Sequence, residues 1–213
     1  MTLSVIFDCD GVLVDTEPIA NRVLAALLTE AGVPTTFDDC MREYRGRAMT
    51  SVLAAATEKL GAPLPFDVAD RYYTDVKTIF RLELQPVPGV IDALERIELP
   101  TCVASSGPHH KMEVTLRHTG LWDRFEGRIF SASEVGIGKP APDLFLHAAR
   151  QMGFDPATTA VVEDSLPGVL AARAAGMRAL AFTRHTNADE LAAAGGEPFE
   201  DMAELPGLLA ADA

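Results

Sequence analysis

Asp8 and Asp10 stand one residue apart in Asp8-Cys9-Asp10-Gly11-Val12-Leu13-Val14-Asp15. They follow directly on Leu3-Ser4-Val5-Ile6-Phe7, a short apolar run rich in β-forming residues. The spacing predicts a buried strand that delivers two carboxylates from its C-terminal end into a turn. Such a pair is costly to hold, because like charges repel and burial disfavours the ionised form. It serves best where a cation or a proton in transit makes use of it. The bland alternative is a solvated turn that happens to be acidic. Three further groups weigh against that alternative: Ser105-Ser106-Gly107, Lys139 within Gly138-Lys139-Pro140, and Glu163-Asp164-Ser165.

Together these groups could hold a phosphoryl group on all sides. Asp8 and Asp164 are hard oxygen donors from different segments, and hard donors in small number suit magnesium. Lys139 supplies one cation to balance carboxylate or phosphate. Ser105 and Ser106 supply hydroxyls and backbone amides, and a helix opening at Pro108 adds the positive end of its dipole. Such a site can transfer phosphoryl groups by positioning and charge stabilisation, and a carboxylate nucleophile can form an acyl-phosphate. Taken singly, each piece has an ordinary reading: a surface lysine, a serine turn, an acidic helix cap. Cys9 reads as core packing, since its neighbouring carboxylates oppose the thiolate. His109 and His110 are adjacent, so they point in different directions on a helix and read as surface. Trp122 and Phe125 read as packing beside a loop.

The elements that must position these groups follow from periodicity. After Asp15, Ile19, Val23, Leu24, Leu27, Leu28 and Ala31 recur at helical spacing until Gly32 and Pro34 end the run. Asp38 to Tyr44 reads as a short helix, Met49 to Leu60 as another, and Asp67 to Leu84 as a longer one. No strand pattern interrupts residues 16–84. Beyond Pro86, Pro88 and Gly89 the chain alternates. Strands are expected at Thr101–Ala104, Arg128–Ser131, Ala160–Val162 and Ala179–Thr183, the last clear one. Helices are expected from Gly89 to Ile97, Pro108 to Gly120, Pro142 to just before Gly153, and Pro167 to Ala175. Alternation of this kind implies a parallel sheet covered by helices on both faces. Ligands of such sheets bind beyond the C-terminal strand ends. Asp8, Asp10, Ser105, Lys139, Glu163 and Asp164 all fall at or just past such ends, so residues far apart in sequence are expected to converge.

The whole is an α/β fold, a Rossmann-like doubly wound parallel sheet formed by residues 1–15 and 85–213, with a small all-helical domain inserted at 16–84. The net charge of −13 repels nucleic acid and anionic membrane, so neither is expected as a partner. It also repels a phosphorylated metabolite, whose site must therefore supply local positive charge. Three cysteines without metal-ligand spacing suit reduced thiols and a cytoplasmic setting. The first residues lack the pattern of a signal peptide, and no stretch approaches a membrane span. The oligomeric default is a monomer.

The motifs Asp8-x-Asp10-Gly11-Val12-Leu13-Val14-Asp15, Ser105, Lys139-Pro140-x-Pro142-Asp143, and Glu163-Asp164-Ser165 with Gly168 and Ala171 resemble those of the haloacid dehalogenase-like hydrolase superfamily, in family order. The subset resembled is the phosphatase and β-phosphoglucomutase group. The resemblance implies that the helical insert is a small mobile cap and that Mg2+ is the cofactor. It implies Asp8 as nucleophile and metal ligand. Asp10 would be the general acid and base, offering its backbone carbonyl to the metal. Ser105, with Ser106 and Gly11, would bind phosphate, and Lys139 would hold the phosphoryl group and Asp8. Asp164 would be the remaining protein metal ligand, with Glu163 in or beside the coordination shell.

Within the family, Asp10 argues against dehalogenation. The β-phosphoglucomutase alternative is weakened because Met49 and Ala20 stand where the mutase pattern has an arginine and a histidine. The run from Ser105 to Met112 is similar to that of 6-phosphogluconate phosphatase-like members, which favours a sugar or sugar-acid phosphate as substrate. Arg45, Arg47 and Lys111 are then candidates to contact its distal polar groups. A phosphometabolite-binding module without turnover is the alternative of another class.

Overall fold

The computed structural model describes residues 1–44, 47 and 49–211. The chain divides into two compact units, Met1–Asp15 with Gln85–Ala213, and Thr16–Leu84. Arg45, a candidate substrate contact, lies outside the described residues.

The first unit is built on a six-stranded sheet of β1 (Ser4–Phe7), β2 (Thr101–Ser105), β3 (Ile129–Ser131), β4 (Thr159–Glu163), β5 (Arg178–Phe182) and β6 (Glu197–Phe199). The strands lie in the order β3-β2-β1-β4-β5-β6, and every pairing is parallel. Every residue of β1, β2 and β4 is buried, as a sheet covered on both faces requires. The chain steps outward from β1 to β3, then crosses back to β4 and steps outward the other way. Strand order therefore reverses between β1 and β4, and it is beyond the C-terminal ends at such a reversal that sheets of this kind bind ligands.

The second unit is helical: α1 (Thr16–Glu30), α2 (Phe37–Asp39), α3 (Met49–Leu60) and α4 (Val68–Glu83). Asp67 caps α4 by accepting from the Asp70 amide, so the helix starts where an acidic N-cap satisfies an orphan donor. The short helix expected over Asp38–Tyr44 divides in two. Thr36 and Asp39 form a reciprocal capping box around α2, and Cys40–Tyr44 continues as a π-helical turn.

The sheet carries α5 (Val90–Arg96), α6 (His109–His118), α7 (Trp122–Phe125), α8 (Asp143–Met152), α9 (Leu166–Ala174), α10 (Ala188–Ala193) and α11 (Leu205–Ala210). On one face Ile6, Cys102, Ala104, Val161, Ala179 and Ala181 pack with residues of α8, α9 and α10. On the other, Phe7 meets Phe125 with ring centroids 6.1 Å apart. Trp122 and Phe125 thus belong to α7 rather than flanking a loop. The structure also adds β6 beyond the last strand expected from sequence. Its three residues carry Pro198 in the middle, a pattern tolerated only at a sheet edge, where the missing donor is not needed.

Candidate active site

Asp8 is the first residue past β1. Its amide donates to the Val162 carbonyl at 3.0 Å, extending the ladder to β4, and its side chain is almost wholly buried. The chain then turns sharply. Gly11 has φ +77° and its amide reaches the Val14 carbonyl at 2.8 Å. That left-handed conformation favours glycine. A Cβ at Gly11 would also fall 2.1 Å from Asp164 Oδ2, so the missing side chain is what lets the Asp164 carboxylate sit against the turn. Thr186 Oγ1, in the loop after β5, donates to the Asp164 carbonyl at 2.6 Å.

Lys139 arrives from the segment between β3 and α8, and its side chain is buried. Its ammonium donates to Asp8 Oδ1 at 2.8 Å, Glu163 Oε1 at 2.6 Å and the Ala104 carbonyl at 3.4 Å. Burial alone would lower its pKa; Asp8 and Glu163 outweigh that and raise it, so the side chain stays charged. Glu163, the last residue of β4, is fully buried, and both of its oxygens are engaged. Oε2 accepts from the Ser165 amide and from Ser165 Oγ, each at 2.8 Å. Its carboxylate occupies the space where a Cβ on Gly168 would stand, 1.8 Å from Glu163 Cδ. Ser165 in turn caps α9 by accepting from the Gly168 amide at 3.2 Å.

A second cluster forms around Gly107. Ser105 Oγ accepts from the Gly107 amide at 3.2 Å, and the Gly107 carbonyl accepts from Ser131 Oγ at 2.9 Å. Lys111, in the first turn of α6, donates from Nζ to Asp10 Oδ2 at 2.6 Å. Burial would lower the Lys111 pKa, but Asp10 raises it through both its charge and this hydrogen bond. Asp10 Oδ1 is buried and has no hydrogen-bond partner among the described residues.

Burial, with Glu163 and Asp10 adding to it, pushes the Asp8 carboxyl up to about 7 against the pull of Lys139. Four carboxylates, Asp8, Asp10, Glu163 and Asp164, share the site with two ammonium groups. Asp8, Glu163 and Asp164 each offer an oxygen, and these lie within 4.8 Å of one another. The excess of negative charge and the all-oxygen donor set fit a hard divalent cation.

The structure thus brings together Asp8, Lys139, Glu163 and Asp164, with Asp10, Gly11 and Ser105 beside them. Ser106 is exposed at the end of β2. Arg47 is exposed and lies in the helical unit, its amide bonded to the Tyr44 carbonyl at 3.1 Å. The partner given to Lys111 is Asp10, which no sequence signal announces across 101 positions. Asp15 accepts from His185 Nε2 at 3.3 Å and lies 3.5 Å from the Arg184 guanidinium, a tie equally invisible in sequence. Cys9 is buried, and burial raises its thiol pKa well above the ordinary range, with Asp10 and Asp8 adding to it. This keeps it a packing group.

A family model for haloacid dehalogenase-like hydrolases matches residues 4–176. A 6-phosphogluconate phosphatase of Escherichia coli K12 is 28% identical over 206 residues, covering 96% of this chain and 93% of its own. Hexitol phosphatase B of the same organism is 30% identical over 183 residues, covering 84% of this chain and 82% of its own. Among solved structures, a haloacid dehalogenase-like protein of unknown function from Agrobacterium tumefaciens superposes with TM-score 0.92 at 37% identity, covering 99% of both chains.

Proposed function

The chain is an enzyme of the haloacid dehalogenase-like hydrolase family, and on that premise we propose that it is a magnesium-dependent phosphatase acting on a small phosphorylated metabolite, through an aspartyl-phosphate on Asp8. The observation that carries the reading is the buried chain Asp8–Lys139–Glu163 beside Asp164, at the point where strand order reverses. A sugar or sugar-acid phosphate is the substrate class, supported by the names of the phosphatases it is similar to.

In the first step a carboxylate oxygen of Asp8 attacks phosphorus and the bond from phosphorus to the alcohol oxygen breaks. Asp10 gives its proton to that oxygen, and the alcohol leaves. In the second step water attacks the aspartyl-phosphate and Asp10 takes up a water proton. The bond from phosphorus to Asp8 breaks, releasing inorganic phosphate and restoring both carboxylates to their starting forms. Lys139 holds the attacking carboxylate and balances charge on the transferring group. Glu163, with both oxygens bonded, serves to orient Lys139. Ser105, Ser106 and the Gly11 turn receive the phosphoryl oxygens. Asp8, Asp164 and the Asp10 carbonyl would hold magnesium, which supplies charge stabilisation to the phosphoryl group when bound. Ala20 and Met49, where the mutase pattern has a histidine and an arginine, favour transfer to water over transfer between sugar positions.

The test is phosphate release from a panel of sugar phosphates, sugar-acid phosphates and nucleotides, with magnesium and with chelator. Asp8→Asn should lose at least about a thousandfold in turnover, as loss of a nucleophile does. Turnover surviving either that substitution or chelation would defeat the mechanism. Saturable binding without turnover of any substrate would favour the binding module.

A further inference from the structure

We infer that Lys111 is a positioning residue that fixes which oxygen of Asp10 exchanges the proton, an inference resting on the phosphatase reading above. Asp10 Oδ2 accepts from Lys111 Nζ at 2.6 Å, while Oδ1 is enclosed and has no partner among the described residues. An ammonium group has donors and no acceptor. It can keep its bond to Asp10 in both forms of the carboxyl only if the oxygen it faces stays an acceptor. The proton of the neutral acid is thereby directed to Oδ1. Without Lys111 no such donor keeps Oδ2 an acceptor, and the carboxyl can turn its proton toward or away from the leaving group.

The scaffold around Lys111 suits that task. Its amide donates to the Pro108 carbonyl at 3.0 Å, in the first turn of α6. That turn is tied to β2 through Ser105 Oγ and to β3 through Ser131 Oγ, both bonding Gly107. Gly107 lies alongside the pair: a Cβ there would make ordinary contacts, 3.5 Å from Lys111 Cδ and 3.8 Å from Asp10 Oδ2. The lysine side chain is about one-third exposed at 36%, and pairs so placed add little to stability. Holding a carboxyl group in one orientation is a task such a pair performs without being deeply buried.

A general acid matters when the leaving group is a poor one. A sugar alkoxide must be protonated as it departs, whereas a nitrophenolate leaves without help. The experiment therefore compares kcat/KM of wild type, Lys111→Met and Lys111→Arg on a neutral sugar phosphate, a sugar-acid phosphate and p-nitrophenyl phosphate. This ratio reports the steps up to transfer onto Asp8, where Asp10 acts only as acid. Lys111→Met should lose roughly tenfold to a hundredfold on both sugar substrates, part of what a general acid contributes, and less than about threefold on the aryl substrate. Lys111→Arg, which also carries donors only, should recover part of the loss. The aryl activity of each variant shows that it has folded. An equal loss on aryl and sugar substrates would overturn the inference, because a merely structural role lowers both. A loss confined to the sugar-acid phosphate would also overturn it and return Lys111 to direct substrate contact. Wild-type turnover with Lys111→Met unchanged defeats the positioning role alone, whereas absence of wild-type turnover on every ester defeats the phosphatase reading and this role with it.

Discussion

Replacing Gly168 by alanine should destabilise the protein, although alanine is the better helix former. Gly168 sits in α9, where alanine would ordinarily stabilise by about 1 kcal/mol. The added Cβ would fall 1.8 Å from Glu163 Cδ, 1.9 Å from Oε1 and 2.3 Å from Oε2. Glu163 could swing aside only by giving up its bonds to Lys139, the Ser165 amide and Ser165 Oγ. It is fully buried, so no water replaces them. Disrupting a buried charge pair costs about 3–5 kcal/mol. Setting the helix gain against that leaves a net loss of about 2–4 kcal/mol. For a chain of this size that corresponds to a fall in Tm of roughly 4–16 °C by calorimetry. Gly207→Ala is the control, since a Cβ there meets nothing within 4 Å; it should be neutral or slightly stabilising. The double variant with Glu163→Ala sharpens the test. With the carboxylate gone, Gly168→Ala should become neutral or stabilising, and the cycle should show a coupling of about 3 kcal/mol. Undiminished stability of Gly168→Ala in the wild-type background, or simple additivity in the cycle, would refute the reasoning.

Lys139→Met leaves Asp8 and Glu163 buried without their shared cation. In chelator it should cost about 3–5 kcal/mol in urea unfolding, and magnesium should restore part of the loss. Gly11→Ala strains a turn at φ +77° and drives a Cβ to within 2.1 Å of Asp164 Oδ2. Magnesium affinity measured by calorimetric titration should weaken about tenfold to a hundredfold, the effect of displacing a ligand's support. Burial would raise the Glu134 pKa, but the Ser131 amide and the side chains of His147 and His109 outweigh it and hold the carboxyl below its ordinary 4.5. A depressed folded pKa contributes stability that is present above the unfolded value and lost as pH falls through the folded one. Glu134→Gln should therefore lower Tm near neutral pH, with the difference from wild type shrinking below about 4.5.

The strand ends and the residue types placed on them are legible in one dimension. Leu3–Phe7, Thr101–Ala104 and Ala160–Val162 are apolar runs closed by polar groups, and apolar patterning is a local property that survives in one dimension. The glycine and proline punctuation likewise marks helix ends, because backbone conformation is decided within a few residues. β6 was not legible, since three residues around Pro198 become a strand only beside β5. The helical run over Asp38–Tyr44 was expected, but its change to a π-helical turn at Cys40–Tyr44 had no signal.

The site divides in the same way. Asp8, Asp10, Lys139, Glu163 and Asp164 were identifiable by type and by position at strand ends. Which group each one bonds was not. Lys111 reads as a candidate contact to the distal groups of a substrate and is found on Asp10, and Gly168 reads as a motif glycine whose reason is the Glu163 carboxylate filling its missing Cβ. Such pairings depend on the strand order, which sets β4 beside β1 although about 150 residues separate them in the chain. Residue type and spacing fix what a group can do; only the packed sheet fixes which partner stands within about 3 Å of it, the range over which hydrogen bonds and ion pairs act.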